Sequence, residues 1–203
     1  DISNANINAL RLMTIGGQIL FILLPALIFA KFIYEDVTTV IRFRKTSFTE
    51  IGLFTFGLLL LNPMLQSFLV VQNFYIDQLA NYVPFLKSIK EFFDSLSSML
   101  QETYVSLLTA KNFFEVIIVI TAVAITPAIC EEVMFRGYVQ KSFELKFKPF
   151  LAAVITSLFF AVFHFNPYGI IALFALSLYF GYSVYKSDSI IVPRSEERRV
   201  GKE

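Results

Sequence analysis

The sequence predicts an all-α protein, a polytopic transmembrane helical bundle of about five spans plus the start of a sixth and one amphipathic interfacial helix. Hydrophobic residues make up 56% of the chain, charged residues only 16%, and 24 residues are phenylalanine. A soluble globular domain is normally less apolar than this. In addition, the hydrophobic residues form uncharged runs long enough to cross a bilayer at about 20 residues per span.

The first half of the chain predicts two spans and an interfacial segment, together residues 1–111. Residues 12–30 form the first uncharged run, and residues 51–76 form the second, in which Pro63 predicts a kink. Residues 84–108 differ, because their apolar side chains recur at helical spacing with charged side chains opposite. This pattern is typical of an amphipathic helix that lies on the membrane surface.

The second half predicts three further helices, before and after a strong turn signal at Asn166-Pro167-Tyr168-Gly169. Their approximate bounds are 112–142, 149–165 and 169–186. An apolar segment from Ser189 to Pro193 then begins a sixth helix and is cut off by the charged residues 194–203. A span does not normally end after five residues. We therefore interpret 194–203 as a non-native tail that resembles translated vector sequence, and a genuine cytoplasmic tail is the alternative.

Basic residues are concentrated in two loops, one after the first helix and one after the third, and the positive-inside rule predicts that both loops are cytoplasmic. These residues are Lys31, Arg42, Arg44, Lys45, Lys141, Lys146 and Lys148. The amphipathic segment and the Asn166 turn would then face outside. We expect an integral protein of the cytoplasmic membrane, with its site opening to the cytoplasm.

Several functions are disfavoured by composition. The formal net charge of +1 gives no argument for nucleic acid as a partner. A single cysteine, Cys130, cannot form an internal disulfide, and with one histidine no Cys/His zinc cluster can be built. Cys130 is interpreted as a small core residue and not as a nucleophile.

Ionisable residues interrupt the third predicted span. Because charges are costly inside a membrane, Glu131, Glu132 and Arg136 indicate a functional site. Glu132 and Arg136 are one helical turn apart and can form an ion pair, while Glu131 points to an adjoining face. With Arg136 balancing one charge, the other carboxylate suits general-base chemistry.

The face of Glu131 continues with Ala124, Pro127 and Ala128, small or kinking residues that predict close packing against a neighbouring helix. The alternative for the charged cluster is an interfacial group whose side chains, Arg136 included, reach the cytoplasmic headgroups.

The one histidine, His164, lies on the next helix. Glu131 and His164 are equidistant from a predicted turn between Phe147 and Lys148, so an antiparallel hairpin places them at the same level, about 25 Å from the turn. The alternative is a histidine with satisfied hydrogen bonds at the outer end of its helix.

These residues resemble the CPBP intramembrane proteases, a family that includes Ras-converting CAAX prenyl endopeptidases and bacterial Abi or bacteriocin-processing homologues. Glu131, Glu132 and Arg136 match its Glu-Glu-x-x-x-Arg motif, and Phe160 and His164 match its Phe-x-x-x-His motif. Residues 112–193 would form a partial protease core. The family's third motif, a histidine and an asparagine on a following helix, would come after Pro193, so the truncated chain is expected to be inactive.

The resemblance implies an intramembrane endopeptidase that hydrolyses a peptide bond of a membrane-associated protein or peptide, with prenylated CAAX-type proteins among the candidates. Glu131 would activate a water, His164 would help to hold it, and Glu132 and Arg136 would orient and balance charge. The need for a metal stays open; Glu131 and His164 would be ligands of a divalent ion such as zinc. The alternative function is a non-catalytic membrane scaffold or a bacteriocin-immunity-type protein.

Overall fold

The computed structural model describes residues 4–34, 37–41 and 48–187, and every element in this part of the chain is a helix. The predicted all-α class is therefore confirmed. The loop residues Arg42, Arg44 and Lys45, the start of a sixth helix at Ser189 and the charged tail 194–203 lie outside the described residues.

Seven helices follow one another in the described residues. They are α1 (residues 4–33), α2 (Val37–Ile41), α3 (Phe48–Tyr82), α4 (Pro84–Leu108), α5 (Phe113–Glu144), α6 (Pro149–Phe163) and α7 (Ile170–Ser187). Proline stands in the first turn of α4 and of α6, where its missing N–H breaks no helical hydrogen bond. The side chain of Asn112 caps α5 by accepting a hydrogen bond from the Glu115 backbone N–H at 2.9 Å.

Three of these helices are long and apolar enough to cross a membrane. They contain the segments Ile7–Ile33, Phe48–Tyr82 and Phe113–Glu144. The predicted kink at Pro63 does not divide α3, which runs as one 35-residue helix. The helices α6 and α7 are apolar but shorter, and the 15 residues of α6 extend only about 22 Å. All five helices that were expected to span the membrane are thus present, three of them long and two of them shorter.

Wide π-helical turns occur just before two prolines. Residues Ile19–Leu23 precede Pro25 in α1, and Thr121–Ile125 precede Pro127 in α5. A proline ring clashes with the carbonyl four residues earlier, and a wider turn relieves this clash while the helix continues. Both helices therefore stay continuous through their prolines.

The helices α5, α6 and α7 form the centre of the bundle. A tight turn after Glu144 reverses the chain, and the Phe147 N–H donates to the Phe143 carbonyl at 2.8 Å. The facing surfaces of α6 and α7 carry small residues, and a Cβ on Gly181 would stand 3.3 Å from the Cβ of Ala153. This close contact lets two short helices pack along their whole length.

The small residues predicted to form the packing face of α5 do not all do so. Ala124 and Ala128 are exposed, whereas Val119, Ala122 and Cys130 are the buried residues of this part of the helix. The prediction of that packing face was wrong. Lipid is as apolar as alanine, so small residues in a membrane helix do not by themselves identify the side on which a partner helix lies.

Arg11 fastens the C-terminal end of helix α4 to α1. The Arg11 side chain is only 1% exposed. Its Nε donates to the Leu107 carbonyl at 3.1 Å, and its other nitrogens donate to the Thr109 carbonyl and to Asn8 Oδ1. Because a helix C-terminus carries unpaired carbonyls and partial negative charge, a guanidinium at this end stabilises it.

Candidate active site

Glu131 and His164 face each other across the α5–α6 hairpin. Glu131 Oε2 lies 3.7 Å from His164 Nε2, and the two side chains are 17% and 25% exposed. The predicted antiparallel hairpin is therefore observed, and it brings the two residues to the same level.

The orientation of the His164 ring is fixed by its own helix. The ring Nδ1 lies 2.8 Å from the backbone oxygen of Phe160. A carbonyl oxygen only accepts hydrogen bonds, so Nδ1 carries the proton and Nε2 is directed toward Glu131. His164 is the C-terminal cap of α6, and the next residue, Phe165, adopts a positive φ of 48°. This left-handed conformation ends the helix at the site and is costly for a bulky residue.

Phe160 lies one helical turn before His164, and its ring contacts both His164 and Arg136. Its ring centroid lies 4.3 Å from that of His164 and 5.1 Å from that of Phe135. The guanidinium carbon of Arg136 lies 4.4 Å from the same centroid, a cation–π contact. One aromatic ring thus separates and positions the histidine and the arginine.

The predicted ion pair within α5 is present. Arg136 Nη1 lies 3.4 Å from Glu132 Oε1, and Arg136 Nη2 donates to Ser177 Oγ at 3.2 Å. The Arg136 side chain is 1% exposed, so it lies between helices and does not reach the headgroups. The interfacial alternative is therefore wrong for Arg136.

A third π-helical stretch, Glu132–Val139, begins directly after Glu131 and contains the ion pair. Such wide turns are rare and often occur at functional sites. Gly137 lies within it, and a Cβ at this position would stand 3.2 Å from the Val40 carbonyl of α2. Because Gly137 has no side chain, the backbone of α2 can pack directly against this stretch of α5.

Sequence reasoning missed two polar contacts of the site. Gln18 of α1 donates from Nε2 to Glu131 Oε1 at 3.4 Å, and Ser177 of α7 contacts Arg136. Gln18 carries a polar amide inside the uncharged run 12–30, and this was a usable signal. Cys130, by contrast, is buried and free as expected of a core residue.

The described residues do not provide a set of metal ligands. No group of three or more His, Cys, Asp and Glu side chains converges anywhere in the described part of the chain. Glu131 and His164 offer two donors, whereas a catalytic zinc normally has three protein ligands. Within the described residues these two donors do not by themselves complete a zinc site, and no step is assigned to a metal.

A cavity of about 430 Å³ adjoins His164. It lies between α4 and the turn that joins α6 to α7, because residues of α4 line one side and His164 and Asn166 line the other. His164 is at the end of its helix, as one interpretation of the sequence had it, but α5 continues toward Phe113 for about 27 Å beyond Glu131. The site therefore lies beside a longer helix, and His164 is its residue that borders this cavity.

The fold and the site together define a class: an integral membrane protein in which one of two adjacent carboxylates lies opposite a histidine of the next helix. Residues 113–194 match the family model described as type II CAAX prenyl endopeptidase Rce1-like. This segment covers α5, α6 and α7, and the resemblance to CPBP proteases is thereby confirmed for it. The family implies a CAAX intramembrane endopeptidase activity and a membrane-associated protein substrate. Comparison with curated proteins and with solved structures gives no match.

Proposed function

We propose that this protein is an intramembrane endopeptidase that hydrolyses a peptide bond with a water held between Glu131 and His164. The observation that carries the proposal is the 3.7 Å separation of Glu131 Oε2 and His164 Nε2, together with the proton that Nδ1 donates to Phe160. In the neutral ring Nε2 is then an acceptor that faces a carboxylate, which is also an acceptor.

Two acceptors cannot hydrogen-bond to each other, and at this distance they are close enough to share one donor molecule. A water can donate one proton to each, at O–H···O and O–H···N distances of about 2.8 Å. Glu131 then takes a proton from the water while the water oxygen adds to the substrate carbonyl carbon. Glu131 can pass the same proton to the leaving amine. His164 holds the water and fixes the direction of attack.

Glu132 and Arg136 act as positioning residues. Their ion pair balances one of the two adjacent carboxylates, so Glu131 is left as the carboxylate directed toward His164. Gln18 supports Glu131 from α1 through the 3.4 Å contact to Oε1. With one oxygen of Glu131 held by Gln18, the other is free to bind the water.

A lipidated substrate is supported by an apolar groove on the other side of the hairpin. The groove has a volume of about 300 Å³. Every side chain in it is apolar: Phe21, Ile22, Met134, Phe135, Val139, Phe143, Phe159 and Phe163. An isoprenyl chain has the shape and polarity for such a groove, since its burial needs no hydrogen bonds. Prenylated CAAX-type proteins are therefore the proposed substrates.

Two predictions about orientation lead to opposite sides of the membrane for the cavity beside His164. The cavity beside His164 lies at the end of α6 opposite the turn that carries Lys146 and Lys148. If this turn is cytoplasmic, the cavity opens on the other side of the membrane. We propose the orientation that the basic residues favour, in which the turn 145–148 is cytoplasmic.

The test uses the protein expressed from its native gene, in proteoliposomes, with a farnesylated peptide that carries a quenched fluorophore. We expect Glu131→Gln to lower kcat by about 10²- to 10⁴-fold, the usual contribution of a general base. Glu102→Gln is the matched control, because Glu102 is exposed on α4 and lies outside both the site and the cavity. Cleavage that persists in Glu131→Gln would favour the non-catalytic membrane scaffold or bacteriocin-immunity-type alternative.

A further inference from the structure

The cavity beside His164 has a wall that does not come from the helices of the family match. Nine residues line it: Ser97, Leu100, Gln101, Tyr104, Val105, Leu108, His164, Asn166 and Leu173. The first six belong to α4, which ends before residue 113, where the match begins. The helix α4 thus lies outside the segment that the family model matches.

One face of α4 is directed into the cavity. Ser97, Gln101, Tyr104 and Leu108 recur every three or four residues and therefore lie along one side of the helix. Tyr104 and Leu108 are 54% and 55% exposed, although they are large and partly apolar. A molecule bound in the cavity would cover these two side chains.

Contacts at both ends hold α4 in this position. Arg11 binds the carbonyls at its C-terminus. Near its other end, Tyr168 of the α6–α7 turn donates to Asp94 Oδ1 at 2.6 Å, and Lys90 forms ion pairs with Asp94 and Asp77. Burial and the Asp94 hydrogen bond raise the pKa of Tyr168 to about 12. The wall is therefore fixed on either side of the cavity.

The cavity lining carries no carboxylate, ammonium or guanidinium group. None of its nine residues is Asp, Glu, Lys or Arg. Ser97, Gln101 and Asn166 offer hydrogen-bonding groups of the kind that bind the backbone of an extended peptide. A charged substrate side chain in the cleft would lose water without meeting an opposite charge, and this is unfavourable.

From these observations we infer that α4 is the outer wall of the peptide cleft and selects substrates that are uncharged next to the scissile bond. The inference rests on the proposed function for the position of that bond. The cleft is continuous with the site because His164 lines it. A peptide that lies along the Ser97–Leu108 face is thereby delivered to the Glu131–His164 pair.

The test measures binding by photo-crosslinking, with the Glu131→Gln variant of the native protein in nanodiscs, so that no turnover is needed. A benzoylphenylalanine replaces Tyr104, and a second protein carries it in place of Phe92, an exposed aromatic residue of α4 outside the cleft. The probes are a biotinylated, farnesylated peptide with only uncharged residues near its CAAX end, and the same peptide with one aspartate at each of these positions in turn.

We expect position 104, and not position 92, to capture the uncharged peptide, and one or more aspartate peptides to be captured about tenfold less well. Gln101→Lys should restore capture of that aspartate peptide, because it supplies the missing opposite charge. Gln78→Lys, at an exposed glutamine of α3, is the matched control and should not.

Equal capture of charged and uncharged peptides would overturn the inference, as would no capture at position 104 or capture of the chain's own residues 188–203. The two proposals fail in different ways. Selective capture by a protein whose unsubstituted form cleaves nothing keeps the cleft and removes the catalytic role. Cleavage that depends on Glu131, without capture at position 104, keeps the catalytic role and removes the cleft.

Discussion

Removal of either partner of the Glu132–Arg136 pair should destabilise the bundle strongly, and removal of both should cost less than the sum. Arg136→Met keeps much of the side-chain volume but deletes the charge. It removes the 3.4 Å ion pair, the 3.2 Å hydrogen bond to Ser177 and the contact 4.4 Å from the Phe160 ring. Glu132→Gln removes only the negative charge.

The size of the effect follows from burial. A buried ion pair that loses one partner typically costs about 3–5 kcal/mol, because the remaining charge stays buried without compensation. The Arg136 side chain is 1% exposed and that of Glu132 is 26% exposed. Water can therefore compensate Glu132 in part but not Arg136, so Glu132→Gln should be the more costly single substitution.

The free-energy cost of each substitution can be measured by thermal unfolding, with all variants in the same detergent. At about 2–4 °C of Tm per kcal/mol for a chain of this size, each single substitution should lower the Tm by about 6–20 °C. The double variant Glu132→Gln/Arg136→Met should lie closer to the unsubstituted protein than the sum of the two shifts. If the two shifts add without coupling, the ion pair does not stabilise the site and the charge-balance argument is wrong.

Three further predictions concern the surroundings of the site. The hydrogen bond from Lys90 lowers the pKa of Asp94, so the stabilisation it gives is present above the ordinary carboxyl range and is lost as the pH falls through the lowered value. A spin label on α4 should therefore become more mobile in acid below about pH 4, and Asp94→Asn should show that mobility at neutral pH. Phe165→Gly should raise stability by about 1 kcal/mol in thermal unfolding, because glycine adopts a positive φ without strain; a loss would show that the exposed ring matters more. In a cysteine-free background, a membrane-impermeant thiol reagent should label Phe147→Cys and Gln101→Cys from opposite sides, with position 147 cytoplasmic, and labelling from one side would contradict the bundle.

The sequence contained most of the information about the helices and the hairpin. The prolines at 84 and 149, the turn near Phe147 and the equal distances of Glu131 and His164 from it are local features, and the structure agrees with each. The Glu132–Arg136 pair was equally predictable, because residues four apart on a helix are neighbours.

Features that depend on distant packing were not predictable. Nothing near Arg11 in the chain indicates that it binds the end of a helix almost a hundred positions later. The π-helical stretch after Glu131 is also not followed directly by a proline, so the sequence gives no local signal for it. In a lipid environment, apolar residues face both neighbouring helices and the bilayer, so periodicity could not show that Ala124 and Ala128 lie on an exposed side.

The equal arms of the α5–α6 hairpin constrain how related sequences can change in length. Residues added to the turn 145–148 lengthen the link between the arms and can leave Glu131 opposite His164. A single residue inserted between Glu131 and the turn, or between the turn and His164, would shift one partner by about 1.5 Å and rotate it by about 100°. Insertions and deletions among functional relatives should therefore be confined to the turn, or occur in both arms together.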